Sequence, residues 1–191
     1  MLELKDQKVC VIGAGLMGTG IAHAFASKGV QTVLVDTAQD ALDRARKEIS
    51  AITVAGVKLG KISEAAAAAA GAALTVDRDL SQAAADAHLV VETVSETLAV
   101  KKAVIETADA VMAPGGVIGT NTSALSVTEI AIAARDPGAV VGLHFFNPVH
   151  KMRLLEIVAG LQTRPDILQR ARAVRRTRRT SADSCAPAGR A

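Results

Sequence analysis

Gly13, Gly15 and Gly18 form a G-x-G-x-x-G run, with Ala14, Leu16 and Met17 between them. An apolar segment, Lys8-Val9-Cys10-Val11-Ile12, leads into the run, and Asp36 closes the apolar segment that follows it. In that setting the glycines have a chemical reading. Gly13 turns the chain tightly, Gly15 lets a pyrophosphate approach the backbone without meeting a Cβ, and Gly18 lets a helix pack close to a strand. The amides and the positive end of that helix then face the phosphates. Asp36 is placed to accept hydrogen bonds from the adenosine ribose hydroxyls, and its charge opposes a 2′-phosphate, which favours NAD over NADP. The bland reading is three turn glycines beside a surface aspartate. FAD enzymes share the motif, but their usual long downstream architecture does not fit a chain of 191 residues.

The second half carries its polar residues where apolar segments end. Asn121-Thr122-Ser123 follows residues 117–120, and His144-Phe145-Phe146-Asn147-Pro148 follows residues 139–143. Ligands of open α/β sheets gather outside the carboxyl ends of the strands. Glu156 lies twelve residues after His144 in the strand-like stretch Arg153-Leu154-Leu155-Glu156-Ile157-Val158, where a carboxylate among apolar neighbours needs a partner. A histidine paired to a carboxylate beside a nicotinamide is a proton-transfer device: the imidazole takes an alcohol proton while hydride leaves the same carbon, and the carboxylate stabilises the imidazolium. From the residues alone the alternative stays open, because one histidine after a strand is more often a hydrogen-bonded structural residue than a base.

These residues need an alternation of strands and helices to bring them together. Strands are expected at residues 8–12, 31–35, 74–76, 88–92, 117–120 and 139–143, with helices between most of them, beginning with Leu16 to Lys28. Thr37 or Asp40 is expected to start the second helix, and Ser63 a helical excursion through the six alanines Ala65 to Ala70. Ser126 with Glu129 is a capping-box pattern. The order predicts an α/β fold: a doubly wound, mainly parallel, Rossmann-type sheet with helices on both faces. Half of the residues are apolar while aromatics make up 2%, so the core is expected to be Ala, Val, Ile and Leu.

Taken together, Val11-Ile12-Gly13-Ala14-Gly15-Leu16-Met17-Gly18, Val91-Glu92-Thr93-Val94-Ser95-Glu96, Asn121-Thr122-Ser123 and His144-Phe145-Phe146-Asn147-Pro148 resemble the 3-hydroxyacyl-CoA dehydrogenase family, in order and in spacing, over roughly residues 5 to 174. The resemblance implies NAD as cofactor and an acyl-CoA substrate. It implies His144 as the base on the 3-hydroxyl, Glu156 as its orienting partner and Ser123 as a hydroxyl on the substrate oxygen. It places Asn147 near the nicotinamide end, Glu96 and Lys101 near the ribose and nicotinamide, and Lys58 and Lys61 loosely near the CoA phosphates. Without the resemblance, Glu96 and Lys101 read as an ordinary solvated helix start, and Lys58 and Lys61 as surface lysines. The family also has a second, helical domain that supplies dimer contacts and part of the acyl-CoA cleft.

Charge separates the end of the chain from the rest. From Arg164 onward there are eight Arg and two Asp, against fourteen Lys/Arg and seventeen Asp/Glu before it. Residues 1–174 are therefore expected to form the NAD-binding domain. Residues 175–191 are expected to form a basic, disordered tail outside the family pattern, from a shifted frame or premature end, with the second domain absent and activity impaired. No basic face with a binding motif precedes the tail, so nucleic acid is not an expected partner; no apolar run is long enough for a membrane span. No metal site is expected. Cys10 and Cys185 do not suggest a disulfide framework, which points to a reducing cytoplasm. Two other functions stay open: a catalytically silent dinucleotide-binding protein, and a hydroxyacid dehydrogenase using a lysine base, for which no lysine occupies a strand end.

Overall fold

The computed structural model describes residues 7–152 and 154–177. Segments of four residues make the first five strands: β1 (Val9–Ile12), β2 (Thr32–Val35), β3 (Leu74–Asp77), β4 (Leu89–Glu92) and β5 (Val117–Thr120), all buried and largely apolar except the edge strand β3. β6 (Val140–Phe145) and β7 (Leu155–Ala159) complete a seven-stranded sheet of order β3-β2-β1-β4-β5-β6-β7. All neighbouring pairs are parallel except β6 with β7. The chain builds outward from β1 through β2 to β3, then returns to the other side of β1 with β4. The crevice at a topological switch point of this kind lies outside the carboxyl ends of the two strands concerned, here β1 and β4.

Side chains alternate across the buried strands, so both faces are apolar and both are covered. Val9 and Val11 face a core with Ile21 and Phe25 of α1 (Leu16–Ala26), Leu42, Ala45 and Ile49 of α2 (Gln39–Lys58), and Ile167, Ala171 and Val174 of α7 (Pro165–Thr177). Cys10 and Ile12 face the other core, with Ala83 and Ala84 of α4 (Leu80–Ala84), Ile105 and Ala108 of α5 (Leu98–Val111), and Val127, Ile130 and Ala131 of α6 (Val127–Ala131). The doubly wound, mainly parallel architecture expected from the sequence is the one observed.

The alanine run forms α3 (Glu64–Ala73), whose N-cap Ser63 accepts a hydrogen bond from the Ala66 amide at 3.1 Å. Among its residues only Ala70 is buried. Methyl groups fill space poorly, and a cavity of about 310 Å³ remains there, lined by His23 of α1, Arg46 and Thr53 of α2, and Ala67 of α3 among others. Ser126 caps α6 by accepting from the Glu129 amide, as the capping-box pattern predicts.

Several boundaries differ from the sequence reading. α1 stops at Ala26, because the following turn bonds Lys28 to Phe25 and Gly29 to Ala26, with Gly29 at φ +73°. β6 begins at Val140 and continues through Phe145, so His144 lies inside a strand, not after one. The antiparallel ladder with β7 carries the strand on beyond residue 143. α7 runs to Thr177, past the expected boundary at 174. Residues 178–191, most of the expected tail and Cys185 with it, lie outside the described residues. Among the described residues no helix is long and apolar enough to cross a membrane.

Candidate active site

The glycine turn is built against Thr93, just past β4. The Thr93 hydroxyl donates to the carbonyls of Ile12 (2.8 Å) and Gly13 (3.1 Å). Gly13 has φ +100°, in the left-handed region that favours glycine. At Gly18 a Cβ would lie 1.8 Å from the Gly13 carbonyl oxygen, so only glycine lets α1 start this close to the turn. Gly15 differs: a Cβ there meets nothing of the protein within 4 Å, and this glycine caps α1 without a side-chain hydrogen bond. The first amides of a helix need outside acceptors, and the open side of Gly15 is where a pyrophosphate could supply them. Leu16 is exposed beside it and Met17 is half-buried. Asp36, at the end of β2, accepts from the Ala14 amide at 2.8 Å and the Ala38 amide at 2.9 Å. Its carboxylate thus sits on the glycine loop, which fits a dinucleotide.

Beside this loop lies an ionic cluster that the sequence reading did not foresee. Glu92 and Lys101 are both 0% exposed. The Lys101 ammonium lies 2.9 and 3.1 Å from the two Glu92 carboxylate oxygens and 3.2 Å from Glu96. Thr120 donates to Glu92 at 2.6 Å, and the Val94 amide does so at 2.7 Å. The other oxygen of Glu96 accepts from the Thr122 hydroxyl and from the amides of Ser123 (2.9 Å) and Ala124 (3.2 Å). Burial pushes the Glu96 carboxyl up, but the Thr122 hydroxyl, the Ser123 amide and the Lys101 ammonium outweigh it and hold it down at about 2. Lys101 is therefore not part of a solvated helix start. Its ammonium comes from α5 to the end of β4, a place where the sequence showed no lysine, but in a fully buried position surrounded by acceptors.

The register of the sheet brings the remaining residues to the same rim. Ile12 pairs with Glu92, Glu92 with Thr120 and Thr120 with Gly142, while His144 pairs with Glu156 across β6 and β7. His144 Nδ1 and a Glu156 carboxylate oxygen are 2.9 Å apart. Phe145 turns into the core, whereas Phe146 lies against the imidazole with ring centroids 4.5 Å apart. Because a carboxylate only accepts, Nδ1 is the donor of this pair, and in the neutral imidazole Nε2 is the nitrogen with the free lone pair. Glu156 thus has the partner that its sequence setting calls for, although burial does not demand one. Its side chain is 53% exposed and that of His144 24%, since β7 is an edge strand with one open face. Asn121 ties the two strand ends together by accepting the Phe145 amide at 2.9 Å.

Ser123 and Asn147 are exposed, in the loops after β5 and β6, on the rim with His144. Lys58 and Lys61 are exposed at the turn between α2 and α3, toward the β3 edge of the sheet and away from β6 and β7. Glu92, Thr93, Thr120, Thr122 and Asn121 were assigned no role from the sequence. One signal was available: a Glu inside the apolar strand Leu89-Val90-Val91-Glu92 has to be paired. Among the described residues, no group of three or more His, Cys, Asp or Glu is placed to hold a metal ion.

The chain is similar in sequence and fold to known dehydrogenases. Residues 8–181 match the family described as 3-hydroxyacyl-CoA dehydrogenase, NAD binding domain. The chain is 41% identical to the 3-hydroxyadipyl-CoA dehydrogenase of Escherichia coli K12 over 88% of its own length and 35% of that protein's. It is 37% identical to the 3-hydroxybutyryl-CoA dehydrogenase of Mycobacterium tuberculosis over 82% and 55% of the respective lengths. The crystal structure of the 3-hydroxybutyryl-CoA dehydrogenase from E. coli K12 superposes with a TM-score of 0.87 at 39% identity, covering 92% of this chain and 37% of that one. The chain spans about half or less of the length of the curated relatives it matches. By the match over residues 8–181 and the superposition, the chain belongs to the NAD-binding-domain family of the 3-hydroxyacyl-CoA dehydrogenases.

Proposed function

We propose that a protein built on this domain interconverts (3S)-3-hydroxyacyl-CoA and 3-oxoacyl-CoA, with His144 as the general base. The observation that carries this reading is the cross-strand His144–Glu156 pair, 2.9 Å apart, on the rim that also bears Ser123 and the glycine turn. Nε2 of His144 accepts the proton of the 3-hydroxyl, and Glu156 stabilises the imidazolium through Nδ1. Bound NAD supplies the acceptor for the hydride that leaves C3. The Ser123 hydroxyl holds the substrate oxygen. Asn147 lies toward the nicotinamide end and Glu96 toward the adjoining ribose, with the fully buried Lys101 ammonium behind Glu96. Lys58 and Lys61 reach toward the CoA phosphates. Asp36 takes the adenosine ribose, and Gly13 to Gly18 take the pyrophosphate. General acid–base help of this kind is worth on the order of 10²–10⁴-fold.

The lysine-base alternative has less support, because an ammonium at 0% exposure, bonded to two carboxylates, is not available to a substrate alcohol. The 191 residues alone are proposed to bind NADH and to turn over acyl-CoA poorly. Both members of the proton-transfer pair stand partly open to water, and a reacting carbon has to be held within roughly 3–3.5 Å for positioning to be effective. The test is NADH oxidation with acetoacetyl-CoA alongside NADH titration. His144→Gln is expected to remove the residual turnover and leave NADH affinity within about twofold, since the base is no cofactor anchor. Unchanged turnover in His144→Gln overturns the assignment. A rate of about one per second or faster from the wild-type chain overturns the proposal that these residues alone are impaired.

A further inference from the structure

Glu92 is the one fully buried carboxylate among the described residues, and its partner Lys101 is equally buried. Stability alone gives little reason for such a pair, because two charges taken out of water regain through mutual attraction about what desolvation costs them, and apolar replacements are often neutral. The arrangement has a direction, however. Glu92 is gripped by three elements: the Lys101 ammonium from α5, the Thr120 hydroxyl from β5 and the Val94 amide beyond β4. The Lys101 ammonium is in turn surrounded by acceptors: both Glu92 oxygens, the Val94 carbonyl at 3.4 Å and one oxygen of Glu96. Glu96 is the first member of the chain to reach solvent, with its side chain 39% exposed. Its other oxygen accepts from Thr122, Ser123 and Ala124.

We infer that Glu92 is a positioning residue for the cofactor and substrate site. Its buried carboxylate fixes the Lys101 ammonium, which fixes Glu96, which holds the loop bearing Ser123 and faces the ribose. This rests on the proposed roles of Glu96 and Ser123. Glu92 touches neither cofactor nor substrate. It converts the rigidity of the sheet into a set position for an exposed carboxylate that has no packing of its own to hold it. Without the Glu92 charge, the buried ammonium draws Glu96 inward as its remaining anion, and the Ser123 and Ala124 amides lose their acceptor.

Glu92→Gln tests this, with Ile130→Val as a control that trims the core beneath α6 without touching the cluster. The readouts are the amide resonances of Ser123 and Ala124 in the free protein and the NADH dissociation constant, at a temperature where both variants are folded. Glu92→Gln is expected to move both amides and to weaken NADH about tenfold, the value of one charge-assisted hydrogen bond. Ile130→Val is expected to leave both readouts as in the wild type. A folded Glu92→Gln with unmoved amides and wild-type affinity shows a purely structural pair and overturns the inference. Should Glu92→Gln not fold, Thr120→Val removes only the hydroxyl that grips Glu92. A shift of the same two amides with about threefold weaker NADH supports the inference, and no change in either overturns it. A wild-type chain that does not bind NADH overturns the cofactor reading itself, which is a distinct outcome.

Discussion

The side-chain oxygen of Asn121 accepts the backbone amide of Phe145 at 2.9 Å, joining the loop after β5 to the strand that presents His144. Ser123 and His144 therefore sit on segments that this bond joins beyond the end of the β5–β6 ladder at Thr120 and Gly142. Asn121→Ala is expected to lower kcat more than it raises the Kd for NADH, because it lets the two strand ends move apart without touching the glycine turn. The measurement is single-turnover kinetics beside cofactor titration. An equal loss in both would mean that Asn121 serves the cofactor directly.

Asp36, proposed to take the adenosine ribose, also holds the Ala14 amide. The wild-type chain is expected to bind NADH at least about tenfold tighter than NADPH, since the carboxylate opposes the 2′-phosphate. Asp36→Ala is expected to remove that preference and also to weaken NADH, because the glycine loop loses its anchor. Fluorescence titration with both cofactors decides. Equal affinities in the wild type would remove Asp36 from its assigned role.

Gly15 and Gly18 make opposite demands. A Cβ at Gly18 collides with the Gly13 carbonyl, so Gly18→Ala is expected to lower Tm by roughly 5 °C or more. At Gly15 the added carbon meets only open space, so Gly15→Val is expected to leave Tm nearly unchanged while abolishing NADH binding. Thermal melts with and without NADH separate the two. A Gly15 variant that still binds would place the pyrophosphate elsewhere.

The Glu96 carboxyl is held down at about 2 from its ordinary 4.5. A lowered carboxyl contributes stability that is fully present above its unfolded value and is lost as pH falls from there through the folded value. The hold on the Ser123 loop is thus expected to persist through pH 4.5 and to fail toward pH 2. Thr122→Val, which removes one donor, is expected to raise the Glu96 midpoint. Carboxyl NMR titration measures it; a wild-type midpoint near 4.5 would sink the cluster geometry.

His23 on α1 is pushed down from 6.5 by burial and by His150, whose ring lies edge-on with centroids 6.5 Å apart. Its Nδ1 is buried without a hydrogen-bond partner. The unfolded chain binds this proton more readily, so stability is expected to fall as pH drops below 6.5. His23→Phe is expected to flatten the stability curve between pH 7 and pH 5. Urea melts at several pH values read this directly; a slope that survives the substitution assigns it to another group.

The sheet and its glycine turn were legible because each signal is local. Buried parallel strands read as short apolar runs, and the spacing of Gly13, Gly15 and Gly18 with Asp36 is a chain-neighbour pattern. His144 and Glu156 were also nameable, but their surroundings were not: an edge strand with one open face and a buried strand of similar composition look alike in Arg153 to Val158. The Glu92–Lys101 pair was missed for the complementary reason. Lys101 sits on an amphipathic helix where a lysine normally points to solvent, and only the crossover of α5 over the end of β4 turns it inward. Asn121 was seen as part of a motif, yet its acceptor role depends on the β5–β6 neighbour relation, which the sequence order does not state.

β7 runs antiparallel to β6, and the pairing of Leu143 with Ile157, His144 with Glu156 and Phe145 with Leu155 is fixed by backbone ladder bonds. Of the residues between the two strands, Phe146 lies against the imidazole and Val149 is buried in the core. A slip of the ladder by a single residue would send Glu156 to the opposite face of the sheet. The 2.9 Å between imidazole and carboxylate is thus a property of strand register, and an inserted or deleted residue within β6 or β7 would separate the pair without altering either side chain.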